Sequence, residues 1–229
     1  KKKKTGAQYT MFMTLKEGLS EIINALEAQL KPQTIHVGNK VVAVEKLPDK
    51  GTESLGGYSL KLANGKSLKA QTVILATPAY NTAELVKSID TPLAKELLSI
   101  PYVSTATASL AYRREDIVPP LEGFGFVVPR LERRKIMAST WSSIKFANRA
   151  PENNLLLRCF VGGANNQHLS LLSEPEIVSI VRDELREIMG IGAEPLFARV
   201  FRWEKSMPQY TLGHGQKLQR IEERLSSLP

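Results

Sequence analysis

Residues Leu121–Asn165 read LEGFGFVVPR, LERR, KIMASTWSSIKF, ANRAPENN and LLLRCFVGGAN. Three short apolar runs rich in β-branched and aromatic residues are separated by Arg, Pro and Asn breakers, the pattern of three successive strands in an antiparallel sheet. Gly123, Gly125, Gly162 and Gly163 punctuate these runs beside Phe126, Trp141 and Phe160. Small residues beside large ones leave room for the wall of a flat apolar pocket. Aromatic strand residues more often fill a core, so the pattern alone assigns no function.

Outward from this stretch, Thr14 with Glu17 three residues on matches a capping box. Leu15, Leu19, Ile22, Ile23, Leu26 and Leu30 share one helical face, which predicts a helix over 14–30 packed on a core. Pro32 ends it, and Thr34–Val37 and Val41–Val44 read as short strands. Asn64–Gly65 between Tyr58–Leu62 and Ser67–Ala70 predicts a hairpin, and Thr72–Ala76 a buried apolar strand. Helical patterns occupy Tyr80–Ile100, with a restart at Thr91–Pro92, and Ser173–Met189, where Ser173 could cap. Tyr102–Tyr112 and Ala198–Trp203 read as strands, and Gln216–Leu225 as a last helix. The order predicts an α+β fold, a mixed and mostly antiparallel sheet flanked by helices.

The 229 residues are 42% hydrophobic and 24% charged, enough for a sizeable core. The chain opens KKKK without Met and stops after a helical pattern, as expected for part of a longer protein. Net charge is +8, and the run Lys1–Lys4 supplies half of that excess. Such a run reads first as a solvated linker. Elsewhere the cations are scattered, apart from Arg130, Arg133, Arg134 and Lys135, and no nucleic-acid reading motif accompanies them. The balance suits an anionic small molecule or an anionic membrane surface.

Cys159, the only cysteine, excludes a disulfide framework and reads as a buried, inert thiol. His36, His168 and His214 show no ligand spacing, so no metal is expected. Neither a nucleophile elbow, a Walker A loop nor a GxGxxG opening a helix occurs. No apolar run reaches the length of a membrane span.

Taken together, FMTLKEGLSEIINALEAQL, NKVVAVE, LANGKSLKAQTVILATPA, GFGFVVPR, TWSSIKFANRAPE, LLLRCFVGGA and RWEKSMPQYTLGH resemble the middle of the oxygen-dependent, flavin-containing protoporphyrinogen oxidases of the amine oxidase superfamily. MPQYTLGH, and NRAP with CFVGG, are the more specific pieces. The resemblance implies a fold with an FAD-binding domain, a substrate domain and a membrane-facing helical domain. It divides this chain into a basic leader at 1–13, an FAD-domain segment at 14–79, a substrate-binding domain at 80–207 and a return helix at 208–229. The flavin-cradling GxGxxG strand–turn–helix would lie upstream, so the piece alone is expected to bind flavin weakly or not at all and to be inactive.

By the same resemblance, Val41, Thr77 and Trp203 would contact FAD, Val41 through its backbone and Trp203 near the flavin ring. Gly125, Val127, Thr140 and Phe160 would line the tetrapyrrole pocket, with Phe160 stacking on a pyrrole ring and Gly125 permitting close approach. Thr140 stands where the family often has an apolar residue. The family's arginine for a substrate propionate lies upstream, while Arg158, Arg130 and Arg149 are candidates for charge at the rim.

The implied reaction oxidises protoporphyrinogen IX or coproporphyrinogen III with O2, giving H2O2, and the cofactor carries the redox step. No catalytic side chain is assigned in this stretch. A flavin amine oxidase, a carotenoid desaturase and a non-catalytic porphyrin-binding protein remain alternatives. The implied location is cytoplasmic, with peripheral membrane attachment left open, as are the oligomeric state and the choice of porphyrinogen.

Overall fold

The structure, a computed structural model, describes residues 13–48, 56–118 and 120–228. Most of the basic leader lies outside these residues. Two compact units divide the chain, one of residues 13–31 with Val103–Met207, the other of Pro32–Tyr102 with Pro208 onward. The boundaries expected from sequence stood at 13, 79 and 207.

The first unit is built on a five-stranded sheet of β4 (Tyr102–Arg113), β5 (Gly125–Val127), β6 (Ile136–Trp141), β7 (Asn154–Gly162) and β8 (Phe197–Pro208), in the order β5-β6-β7-β4-β8. The three strands expected in 121–165 are there, antiparallel in sequence order. β7 also pairs antiparallel with β4, from Thr105 opposite Gly162 to Arg113 opposite Asn154. Single-turn helices α4 (Ser142–Lys145) and α5 (Gly163–Asn166) follow β6 and β7.

One face of this sheet is the core. Ala108, Leu110, Leu157, Cys159 and Val161 lie fully buried under helix α6 (Glu174–Met189), whose Ile177, Val181 and Leu185 are buried as completely. Burying each such aliphatic side chain contributes about 1.5–3 kcal/mol. The helix starts where the sequence predicted. The Ser173 backbone N–H donates to Glu176 Oε2 at 2.8 Å, closing a capping box, and Gly190 ends the helix at φ 71°.

The second unit carries an antiparallel meander, β1 (Val41–Leu47), β2 (Gly57–Leu62) and β3 (Ser67–Ala70), with the predicted Asn64–Gly65 hairpin turn. Helices α2 (Ala79–Val86), α3 (Thr91–Leu98) and α7 (His214–Leu225) share a small core of Ala83, Val86, Leu93, Ala94 and Ile221. Asp90 caps α3, accepting from the Leu93 N–H at 2.7 Å.

Three sequence expectations are corrected. Helix α1 spans only Ser20–Gln29 and buries none of its residues. Its predicted cap is employed elsewhere: Thr14 Oγ1 accepts from Arg149 Nη2 at 3.2 Å, and the same guanidinium donates to the Leu15 and Lys16 carbonyls. Those bonds hold 14–16 out of the helix. Thr34–Val37 forms turn and coil instead of a strand. Thr72–Ala76 is not a strand either, and Ile74 there is 90% exposed. An apolar run becomes a strand only where a neighbouring ladder satisfies its backbone, and no described strand pairs with this one.

Candidate functional site

The face of the five-stranded sheet opposite α6 carries the candidate site. Side chains alternate along a strand, so register alone decides which residues share a face. Val127 pairs with Ala138, Ala138 with Phe160, and Phe160 with Thr107. In the adjacent row Gly125 pairs with Thr140, Thr140 with Arg158, and Arg158 with Ser109. Residues between these rows, Phe126, Ser139, Cys159 and Ala108, point to the core. All four expected pocket residues, Gly125, Val127, Thr140 and Phe160, therefore lie on one face across three neighbouring strands.

β8 extends this face. Ala198 and Val200 pack on the core, which turns Phe197, Arg199, Phe201 and Trp203 to the other side, where all but Arg199 are large apolar groups left exposed. Trp203 is 52% exposed. The result is a broad surface of aromatic and aliphatic side chains interspersed with the guanidinium groups of Arg158 and Arg199. Such a face suits a flat, apolar ligand with anionic edges.

Gly125 has a reason in the backbone to be glycine. At φ 138°, a Cβ on it would sit 2.1 Å from the Ser139 carbonyl oxygen and 2.9 Å from Thr140 Cα. Closeness of the β6 backbone by itself excludes a side chain there.

The three rim candidates separate. Arg149 is the clamp on 14–16 described above. Arg130 sits in a one-turn 3-10 segment, Arg130–Glu132, where with Arg133 and Arg134 it borders an open cleft of about 590 Å³ that also touches Val127 and Met137. Arg134 there is paired with Glu187 and Glu184. Only Arg158 stands on the same face as Phe160.

In the second unit Val41 opens β1 opposite Leu62. Thr77 precedes α2, and its hydroxyl lies 2.8 Å from that of Thr82, which also donates to the Thr77 carbonyl. Thr77's side chain is thus engaged in tying the turn to α2. Val42, Ile74, Ile35 and Val37 leave apolar surface open in this unit.

Cys159 is buried in the core with its Sγ 3.4 Å from Ser139 Oγ, and desolvation pushes its thiol up to about 11. It carries no nucleophilic chemistry near neutral pH. Among the described residues no cluster of three His, Cys, Asp or Glu could hold a metal ion, and no helix is long and apolar enough to cross a membrane.

The profile of the family described as Flavin containing amine oxidoreductase matches residues 2–226. This chain belongs to that family. It is 34% identical over 223 residues to coproporphyrinogen III oxidase of Bacillus subtilis, covering 97% of this chain and 46% of that protein. Mitochondrial protoporphyrinogen oxidase of Nicotiana tabacum is 26% identical over 224 residues, covering 93% of this chain and 44% of the relative. A solved structure from Exiguobacterium sp. 255-15, a protein assigned as a protoporphyrinogen oxidase, superposes with TM-score 0.78 at 30% identity, over 94% of this chain and 45% of that one. The chain spans less than half the length of these relatives.

Proposed function

We propose that this chain is the central part of an FAD-dependent porphyrinogen oxidase that converts protoporphyrinogen IX or coproporphyrinogen III to the porphyrin with O2, releasing H2O2. One observation carries the reading: Val127, Thr140 and Phe160 share an open sheet face in a chain whose relatives are named for porphyrinogen oxidation. Three two-electron oxidations lie between the porphyrinogen and the aromatic macrocycle. When bound, FAD would supply that two-electron redox chemistry, with O2 as the final acceptor.

This chain's share is binding and orientation. Phe160 offers its ring to a pyrrole, Val127 packs against the macrocycle edge, and the β5–β6–β7 wall excludes water from one side. Trp203 lies on the same face as Phe160 and is assigned to the flavin side of the site. Val41 and Thr77 would hold the cofactor through backbone groups, since the Thr77 hydroxyl is already engaged. They fit only a share of that site. A phosphate-cradling glycine turn is absent from this sequence, so the cofactor depends on residues outside this chain. On this reading the isolated chain is inactive.

The test is to purify the full-length protein with its flavin, mix it in air with each porphyrinogen, and follow porphyrin fluorescence and H2O2 against an enzyme-free control. Accelerated porphyrin formation with stoichiometric H2O2 is expected. A flavin-loaded protein that accelerated neither oxidation would overturn the reading. Phe160→Ala should then weaken substrate binding while the flavin absorbance stays.

A further inference from the structure

We infer that Arg158, flanked by Thr140 and Ser109, binds a substrate carboxylate and makes the site select the more carboxylated porphyrinogen. The inference rests on the reading of the open face as a porphyrinogen site.

Arg158 occupies β7, the middle strand of the order β5-β6-β7-β4-β8. A cation on an edge strand guards against strand addition, but a central strand is already paired on both sides and needs no such guard. Among the described residues no ion pair includes Arg158, whereas Arg134, Arg182, Arg186, Arg220 and Arg224 each meet a carboxylate. Arg158 is thus exposed on the face that carries Phe160, and no ion pair among the described residues neutralises it.

Its cross-strand neighbours are Thr140 on one side and Ser109 on the other. Directly opposed side chains have Cβ atoms about 4.5–5.5 Å apart, so the part-buried Thr140 flanks the stem of Arg158 on one side, and Ser109, only 8% exposed, closes the other. This row of the sheet offers a bidentate donor with the Thr140 hydroxyl at its flank, suited to a planar carboxylate. The neighbouring row holds Phe160, Ala138 and Val127. A macrocycle stacked on that apolar row would project a ring substituent over Arg158. A propionate there gains charge-assisted hydrogen bonds, and a vinyl group there leaves the guanidinium uncompensated. Thr140 acquires a role as a hydroxyl partner of that carboxylate.

The experiment uses the full-length flavoprotein and the variants R158A, R158K and T140V, each assayed with coproporphyrinogen III and protoporphyrinogen IX. In R158A the ratio of kcat/KM for the four-carboxylate substrate to that for the two-carboxylate substrate should fall about tenfold or more, as loss of a hydrogen bond to a charged group implies. The fall should appear as a higher KM with kcat little altered. R158K should restore part of the ratio, and T140V should lower it by less than R158A. Fluorescence titration with coproporphyrin III should show the same order of affinities, weakening with salt in the parent protein more than in R158A. Full flavin absorbance in each variant checks folding. If the parent protein oxidises porphyrinogens but R158A keeps the ratio, the inference falls and the proposed function stands. An equal rise of KM for both substrates would likewise overturn the selective role. Oxidation of neither substrate by the parent protein would overturn both readings together.

Discussion

A methyl group on Gly125 would stand 2.1 Å from the carbonyl oxygen of Ser139. This glycine is held at φ 138° against the β6 backbone, so the shape of the β5–β6 edge depends on it.

Gly125→Ala should therefore destabilise the protein by about 1–3 kcal/mol, the cost of forcing a side chain into a backbone conformation that L residues rarely adopt, and should displace Val127 on the same strand. Urea unfolding measures the first effect and porphyrin affinity the second. Unaltered stability with weakened binding would instead return Gly125 to the role of a close-approach residue.

Cys159 should be inert in the folded protein. Its thiol is raised to about 11 by burial, so at pH 8 almost no thiolate is present and the sulfur is also shielded from solvent. A chromogenic disulfide reagent should label Cys159 only after denaturation. Stoichiometric labelling within seconds under native conditions would contradict the buried placement.

Arg220 forks onto Glu96, Nε to Oε1 at 2.8 Å and Nη2 to Oε2 at 2.9 Å, tying α7 to α3. That hydrogen bonding lowers the Glu96 carboxyl below its usual 4.5. A group with a depressed folded pKa contributes stability that is present above its unfolded pKa and is lost as pH falls through the folded value. Melting temperature should drop on acidification below about pH 4.5, and part of that drop should vanish in Glu96→Gln. The pair is solvent-exposed, so salt should weaken it. An acid limb identical in the parent and E96Q would show that Glu96 has no part in it.

Ser173→Ala should cost about 1 kcal/mol, because it removes the hydroxyl of the α6 capping box. Combining it with Glu176→Gln should cost less than the two single changes together, since each residue serves the other. Strict additivity in denaturant unfolding would refute the reciprocal cap. Its consequence reaches the site, because α6 supports the underside of the sheet that bears Phe160 and Arg158.

Elements whose partners are local were legible in advance. The Asn64–Gly65 hairpin, the Asp90-capped helix at Thr91 and the Ser173 start of α6 each depend on bonds within a few residues, and the three runs of 121–165 became β5, β6 and β7. The pattern starts helix α1 six residues too early because the competitor for Thr14, Arg149, lies 135 residues away in the chain. Thr72–Ala76 was drawn as a strand because apolar content is visible in a sequence and a ladder partner is not. Among the site candidates, Phe160 and Thr140 came from resemblance, while Arg158 could not be separated from Arg130 and Arg149 by composition.

By itself, then, the sequence determined the α+β class, the family and the local starts and turns, since those follow from side-chain periodicity, caps and motifs carried by neighbouring residues. Tertiary structure alone decided which face each strand residue occupies. Register sets Val127, Ala138 and Phe160 in one row and Thr140, Arg158 and Ser109 in the next, and a slip of one residue would have turned every one of them into the core.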